Sequence, residues 1–461
     1  MLCLGLAPWA APGKRRNQRT LVAQGRRRKR GLAHGVSASR ATIALTRGQR
    51  YAERYRNWAA SMYRVSTFIR NFAIALAIGS LVATIWVNLS PESYYDVMEA
   101  RLFTLSAPDW IMPDHARITL ISVTSQLLMA LFFFLLGKEL WEATMLERGA
   151  LHGTRGGLPF LASIGAAVGA VAVWILVSAL IETAMEARLG IGWQVPIGGD
   201  TIIAYVIGRQ VFGRGHPALP LLLLICIGLD LMGLLALALQ VPETPARLLW
   251  LLLPVLASIG VWFFAARHAQ GRTERERQEA LHLWPYMLAG AISWIGVAAA
   301  GLPGALGLLP VIPVIPHARR AFGMFAEAEE LLHDPLNRLA HMTIRPLMLI
   351  LFLFGLTRGG IDLGAFAPTT IVTLAALWFG KPLGLLAGVL IATRVLRMPL
   401  PTGVDAPDLM RIGLLTGIGF TVPLVALQTA LPGGAMAEAA RLGLALSLVM
   451  IPVVLVLFRT R

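Results

Sequence analysis

The chain has 461 residues, of which 56% are hydrophobic and only 14% charged, with a formal net charge of +16. A soluble domain carries about 25% charged residues, so this composition, with a mean hydropathy of +0.66, excludes a soluble fold and indicates a polytopic membrane protein. The positive excess does not indicate a nucleic-acid partner, because much of it sits ahead of the first apolar segment. Cys3 and Cys226 are far apart in the sequence and imply neither a disulfide framework nor a metal site.

Residues 1–66 form a basic head, with Lys14-Arg15-Arg16 and Arg26-Arg27-Arg28-Lys29-Arg30 and no acidic residue before Glu53. Its apolar start, Leu2 to Ala11, precedes the charges, the reverse of a secretory signal. The head reads as a disordered cytoplasmic tail held near anionic lipid. An Arg-rich transit peptide and a true start at Met62 are the alternatives.

Residues 67–461 carry the transmembrane domain. Windows of about 20 apolar residues predict twelve spans, near 68–88, 118–137, 158–181, 195–212, 218–240, 246–266, 283–300, 302–316, 344–361, 367–393, 409–430 and 440–458. The eighth is short and carries Pro303, Pro310, Pro313 and Pro316. The charges alternate as the positive-inside rule requires. The head, Arg148 and Arg155, Arg209 and Arg214, Arg267 to Arg277, Arg319 and Arg320, and Arg394 to Arg411 share one side. Glu92, Asp96, Asp109, Asp114, Glu182, Glu186, Glu243, Asp362 and Glu438 fall on the other. Both termini are therefore expected in the cytoplasm. Cytoplasmic connections are expected near 267–282 and 317–343, the second with a surface helix around Glu327, Glu329 and Glu330.

The stretch Gly192-Trp193-Gln194-Val195-Pro196-Ile197-Gly198-Gly199-Asp200 breaks the fourth span just before an acid. Gly413 to Pro423, with Gly417 and Gly419, interrupts the eleventh. Matching interruptions in opposite halves indicate inverted repeats whose discontinuous helices cross in mid-membrane, the way secondary transporters build a cation site. Irregular backbone at that depth is tolerated only inside protein or beside a cavity.

A charge at bilayer mid-depth costs roughly 2.5–3.5 kcal/mol on insertion scales, so intramembrane charges mark functional sites. Asp200, Asp230 and Lys381 are such charges here. A buried carboxylate can hold either a proton or a cation, and that competition is what an exchanger needs. Asp200 and Asp230 are the candidate sites for a transported monovalent cation, and a structural carboxylate capping a helix break is the bland alternative. Lys381 either pairs with a carboxylate or snorkels to an interface. Glu139 ends the second span as a funnel-lining acid or a plain interfacial charge, and Arg358 reads as an interfacial anchor on the outer side. The histidines His152, His216, His268, His282, His317, His333 and His341 read as loop residues. There is no phosphate loop, dinucleotide fingerprint or His-Glu-x-x-His pattern, and no Gly-x-Ser-x-Gly elbow. An enzyme is not expected, nor a cofactor.

The chain resembles the NhaA-type sodium/proton antiporters over roughly residues 68–460. The likeness rests on Leu128 to Leu140, Gly192 to Asp200, Gly380-Lys381-Pro382-Leu383-Gly384, and Leu400 to Val404 continuing through Gly413 to Thr421. It implies an all-α fold of about twelve transmembrane helices with crossed interrupted helices, and exchange of sodium or lithium for protons. By the resemblance Asp200 is the span-four aspartate, Lys381 the span-ten lysine and Glu139 the cytoplasmic-funnel glutamate. The family's adjacent pair of span-five aspartates is one acid here. Asp230 is either the first, with Leu231 replacing the second, or the second, with Leu229 replacing the first. The first alignment is preferred because it keeps an Asp230–Lys381 partnership. Gly199, Gln126, Pro303 and Arg358 replace a family threonine, aspartate, histidine and asparagine respectively.

The expected molecule is an inner-membrane cation/proton antiporter serving pH and sodium homeostasis, whose partners are sodium or lithium, protons, the lipid bilayer and a second copy in a homodimer. A carrier of another cation or solute, and a transport-inactive scaffold or sensor, are the alternatives.

Overall fold

The computed structural model describes residues 68–105, 116–145, 157–185, 189–213, 215–239, 245–270, 278–317, 334–401, 403–431 and 433–457. The basic head with Met62, Asp109, Asp114, Arg148, Arg155, Glu186, Arg214, Glu243, residues 271–277, Arg319, Arg320, the 327–330 helix, His152 and His333 lie outside the described residues. Those described belong to one compact unit, Met62–Arg461.

In hydrocarbon every backbone group needs an internal partner, which leaves the helix as the form for long apolar runs. Ten described helical stretches are long and apolar enough to cross a membrane, and two shorter apolar ones lie at Thr201–Phe212 and Gly304–Val314. In chain order the principal helices are α1 (Phe68–Leu89), α2 (Pro91–Glu99), α3 (Met129–Met145), α4 (Gly157–Met185), α5 (Thr201–Phe212), α6 (Ala218–Ala238), α7 (Leu252–Phe264), α8 (Trp284–Ala299), α9 (Pro335–Arg358), α10 (Pro368–Ala375), α11 (Lys381–Leu390), α12 (Ala406–Thr416), α13 (Thr421–Ala430), α14 (Gly434–Ser447) and α15 (Met450–Leu457). Their outward faces are apolar, with Leu81, Ile85, Phe160, Leu256 and Phe264 at least half exposed. Such surface suits lipid and not water.

The all-α expectation holds, with one short antiparallel ribbon added to the helices, β1 (Arg101–Leu105) and β2 (Ala116–Thr119), in which Thr104 lies opposite Arg117. Several other expectations change. The ninth span starts at Pro335, not near 344, so the connection expected over 317–343 ends in helix. Asp334 is the reason, since its carboxylate accepts the Asn337 N–H and Pro335 takes the first helical position. The eighth span is two short 3-10 turns, Gly304–Leu306 and Leu309–Val314, because its prolines withhold helical donors. The twelfth starts at Gly434, not near 440, and is interrupted between Ser447 and Met450.

Two long packings frame the unit: α1 lies along α9, and α4 along α11. The second is close because glycines face each other; a Cβ on Gly169 would stand 2.6 Å from the Gly384 Cα. The helical ladder widens to π geometry over Val123–Leu128, Ala376–Gly380 and Ile391–Val395. The middle bulge ends directly at Lys381, next to Pro382, which has no N–H to give. Such bulges concentrate at functional sites.

Candidate functional site

Both interruptions expected from glycine and proline are present. The fourth span enters as a 3-10 turn at Gly190–Gly192, runs through irregular backbone and becomes α5 only at Thr201. The eleventh is α12, a break at 417–420, and α13. The two breaks touch: a methyl on Gly198 would overlap the Val422 side chain, and one on Gly233 of α6 would lie 2.8 Å from Val422 Cγ1. Gly417 and Gly419 face the π bulge, where added Cβ atoms would lie 2.8 Å from the Leu377 carbonyl and 2.9 Å from its side chain.

Asp200 is the N-cap of α5. Its Oδ1 accepts the Ile203 N–H at 2.7 Å, while Oδ2 accepts the Thr421 N–H at 3.2 Å and the Thr421 hydroxyl. One carboxylate thus faces the N-terminal ends of both half-helices, where unpaired N–H groups and the helix dipoles carry partial positive charge. The capping and ion-site readings meet in this residue.

Asp230, on α6, is fully enclosed at 0% exposure. Its Oδ1 accepts the Gly199 N–H at 2.8 Å, and its Oδ2 accepts the Thr201 hydroxyl at 2.6 Å and the Thr201 N–H at 3.3 Å. Lys381 is equally enclosed, and its Nζ donates to the Gly198 carbonyl at 2.5 Å. The expected Asp230–Lys381 partnership is therefore not a direct contact; among the described residues Lys381 has no carboxylate within ion-pair distance. The broken helix explains this, because it frees a carbonyl that takes the ammonium first. The two groups still flank one residue. A Cβ on Gly199 would stand 3.6 Å from Asp230 Oδ1, 3.9 Å from Lys381 Nζ and 3.8 Å from the Ile418 carbonyl. Of the two replacements, Leu229 is fully buried among aliphatic side chains and Leu231 half-buried against a second cluster.

Glu139 stands apart. It is 2% exposed, with its Oε1 at 3.2 Å from Lys138 Nζ, and Lys138 also meets Glu142 Oε2 at 3.0 Å. This is a buried charge cluster at the end of α3, not a plain interfacial charge. Arg358 is corrected likewise: it is 3% exposed, and its Nε donates to Ser125 Oγ at 2.8 Å, within the π segment of the second span. An arginine at a helix end was expected to reach the interface, but the fold packs another helix over it. Among the histidines, His216 sits 3.9 Å from Asp408 and stacks on Phe212.

Sequence reasoning passed over Thr201, Thr421 and Ser447. Ser447 Oγ accepts the Gly419 N–H at 3.2 Å. A signal for the threonines exists: Gly199-Asp200-Thr201 and Gly419-Phe420-Thr421 both follow the break with glycine, one residue and threonine.

The profile of the family described as Na+/H+ antiporter 1 matches residues 67–457. The Na(+)/H(+) antiporter NhaA of Jannaschia sp. (strain CCS1) is 37% identical over 396 residues, covering 83% of this chain and 94% of that protein. Na(+)/H(+) antiporter NhaA 1 of Pelobacter propionicus is 33% identical over 390 residues, covering 84% and 95%. Among solved structures, the sodium proton antiporter MjNhaP1 from Methanocaldococcus jannaschii aligns over 86% of this chain and 99% of its own with a TM-score of 0.47 at 14% identity, too slight a likeness to argue from. On the profile match and the two curated relatives, the chain belongs to the Na+/H+ antiporter 1 family.

Proposed function

We propose that this protein exchanges sodium or lithium for protons across a bacterial inner membrane by alternating access, with both termini in the cytoplasm. The observation that carries the reading is the enclosure of Asp200, Asp230 and Lys381, each at most 1% exposed, where two broken helices meet. Charge enclosed at mid-membrane is expensive, so it marks a functional site. The curated relatives are themselves named as sodium/proton antiporters.

The roles divide by geometry. Asp200 and Asp230 each accept two backbone N–H groups and one threonine hydroxyl, but Asp200 bridges the ends of both half-helices whereas Asp230 lies across Gly199 from Lys381. Asp230 is the exchangeable carboxylate, and a cation entering from one side displaces the proton it holds. Lys381, anchored on the Gly198 carbonyl beside it, supplies positive charge to the site when no cation is bound. Alternating access then carries each occupied form to the opposite face. Glu139, paired with Lys138 inside the inner end of α3, belongs to the cytoplasmic end of the cation path.

Proton movement in everted vesicles, on addition of sodium, lithium or potassium, tests this directly. The expected result is a sodium- or lithium-dependent signal that disappears in Asp230→Asn. Identical fluxes from wild type and Asp230→Asn would end the reading.

A further inference from the structure

Phe212 closes α5 and Pro217 precedes α6, and His216 stands in the turn between them with 33% of its side chain exposed. Its ring lies flat on Phe212, with centroids 5.5 Å apart and planes at 19°. Its Nδ1 accepts the N–H of Ala218 at 3.2 Å, one of the unpaired donors at the start of α6. Its Nε2 is 3.9 Å from Asp408 Oδ2, just beyond hydrogen-bond distance. Asp408 is 6% exposed in the first turn of α12, where its Oδ2 also accepts the Asp405 N–H at 3.2 Å and its Oδ1 meets Arg411 at 3.0 Å. Beside this contact the two turns abut: a Cβ on Gly403 would stand 3.2 Å from Pro217 Cγ.

The imidazole thus lies between two partners that want different protonation states. To accept the Ala218 N–H, Nδ1 must be unprotonated, and the neutral ring then keeps its hydrogen on Nε2. A proton on Nδ1 sets donor against donor, so the bond to Ala218 is lost while the ring gains the charge that Asp408 attracts. A shift of about 1 Å then brings Nε2 into the range of a charge-assisted hydrogen bond. Histidine changes charge across neutral pH, and the exposed edge of the ring lets water of the medium deliver and remove the proton. The other charged groups on the described elements around the turn are Arg209 on α5, Arg394 and Arg397 ahead of α12, and Asp405 and Arg411 at its start. Along α6 the one charge is Asp230, deep at the crossing, and α15, which packs on α5 and α12, carries none. Among the described residues, Asp408 is the carboxylate within ion-pair distance of the ring.

The position of this contact gives it a consequence. The half-helices α5, from Thr201 to Phe212, and α12, from Ala406 to Thr416, both run between the crossing and one face, the cytoplasmic face in the proposed orientation. A bond across their ends at that face resists any inward opening that parts them. We propose that His216 and Asp408 form a latch that acid fastens: protonation of His216 transfers its hydrogen bonding from Ala218 to Asp408, ties the α5–α6 turn to α12 and slows the opening of the ion site to the cytoplasm. This rests on the antiport reading above.

Sodium- or lithium-dependent proton flux in everted vesicles carrying the full chain is the test, because the cytoplasmic face then meets the medium. The maximal rate is followed from about pH 6 to about pH 8.5, the range in which histidine changes charge. Asp230 contributes a pH dependence of its own, common to wild type and variants, so each variant is read as its ratio to wild type. His216→Gln has an amide oxygen for the Ala218 N–H but gains no charge. It is expected to match wild type at the alkaline end and to exceed it about threefold at the acid end, the scale of a partly exposed ion pair. His216→Arg, cationic throughout, should run about threefold below wild type at the alkaline end, and Asp408→Asn in the same chain should abolish that loss. A histidine that only packs on Phe212 would change the rate alike at every pH. A His216→Gln profile that superposes on wild type would overturn the proposal, as would an equal loss from His216→Arg with and without Asp408→Asn. If Asp408→Asn does not accumulate, the comparison of His216→Gln with wild type decides alone. Absence of any sodium- or lithium-dependent flux in the wild type removes the antiport reading itself, a distinct failure that is read before any variant.

Discussion

The two broken helices are built alike and furnished differently. In the first, Gly199 gives its N–H to Asp230 on the following helix, 31 residues on, and Thr201 opens the half-helix. In the second, Gly419 gives its N–H to Ser447, 28 residues on, and Thr421 opens the half-helix. Where the first half has Asp200 between glycine and threonine, the second has Phe420. Both carboxylates therefore lie on the side of the first break, and the second offers hydroxyls and backbone. The backbone device is shared, so in the proposed mechanism it is the acids on one side, and not the break alone, that set the ion site. Asp230→Asn attacks that asymmetry most directly, and loss of all cation-dependent flux is the largest effect expected.

Next in size is Asp200, the point at which the two halves are joined. Removing its carboxylate in Asp200→Ala strands the donors of Ile203 and Thr421 at two helix ends. A lost N-cap costs about 1 kcal/mol and each stranded buried donor about 1–3 kcal/mol, so a loss of roughly 2–4 kcal/mol is expected after partial relaxation. Asp200→Asn can still cap α5 and should lose less. Thermal unfolding in detergent measures both. An Asp200→Ala protein as stable as wild type would mean that the halves are joined elsewhere.

The steric side of the comparison gives a smaller effect. Gly198→Ala drives a methyl into Val422 at the crossing, against packed neighbours, and overpacking of that kind costs typically 1–3 kcal/mol. Gly419→Ala meets the end of the flexible Leu377 side chain at 2.9 Å, which can turn aside, so a cost below about 1 kcal/mol is expected. Val422→Ala should relieve the first only in part, because the Val422 Cβ still stands 2.5 Å from the added methyl, and the second not at all. Equal losses in unfolding temperature from both glycine variants would contradict the contact geometry.

Much of this was legible before any coordinates. Long apolar runs allow little but helix, and proline and glycine announced both breaks, as well as the irregular eighth segment. What the sequence hid was long-range. Arg358 is buried because the second span covers it, and nothing local to Gly355 or Gly359 reveals that neighbour. Lys381 was matched to a carboxylate because charges are visible in a sequence, whereas a carbonyl freed by a helix break is not. The early start of α9 was hidden by Arg338, His341 and Arg345, which lower the hydropathy of turns that Asp334 nonetheless caps. The ribbon of β1 and β2 escaped because five and four residues are too few to show an alternation.

The mildest test falls on Ser447, the counterpart of Asp230. Its hydroxyl oxygen accepts the Gly419 N–H at 3.2 Å and its proton goes to the Leu444 carbonyl at 2.6 Å. Ser447→Ala leaves the Gly419 N–H without that acceptor inside the protein, at about 1 kcal/mol of stability. If the second break only carries the architecture, the half-saturating sodium concentration should stay at its wild-type value while the unfolding temperature falls slightly. Flux kinetics beside a melting curve separate the two quantities. A Ser447→Ala protein that unfolds normally but loses cation affinity would make the hydroxyl half of the crossing part of the ion site, and the proposed division between an acidic break that exchanges and a neutral break that supports would have to be abandoned.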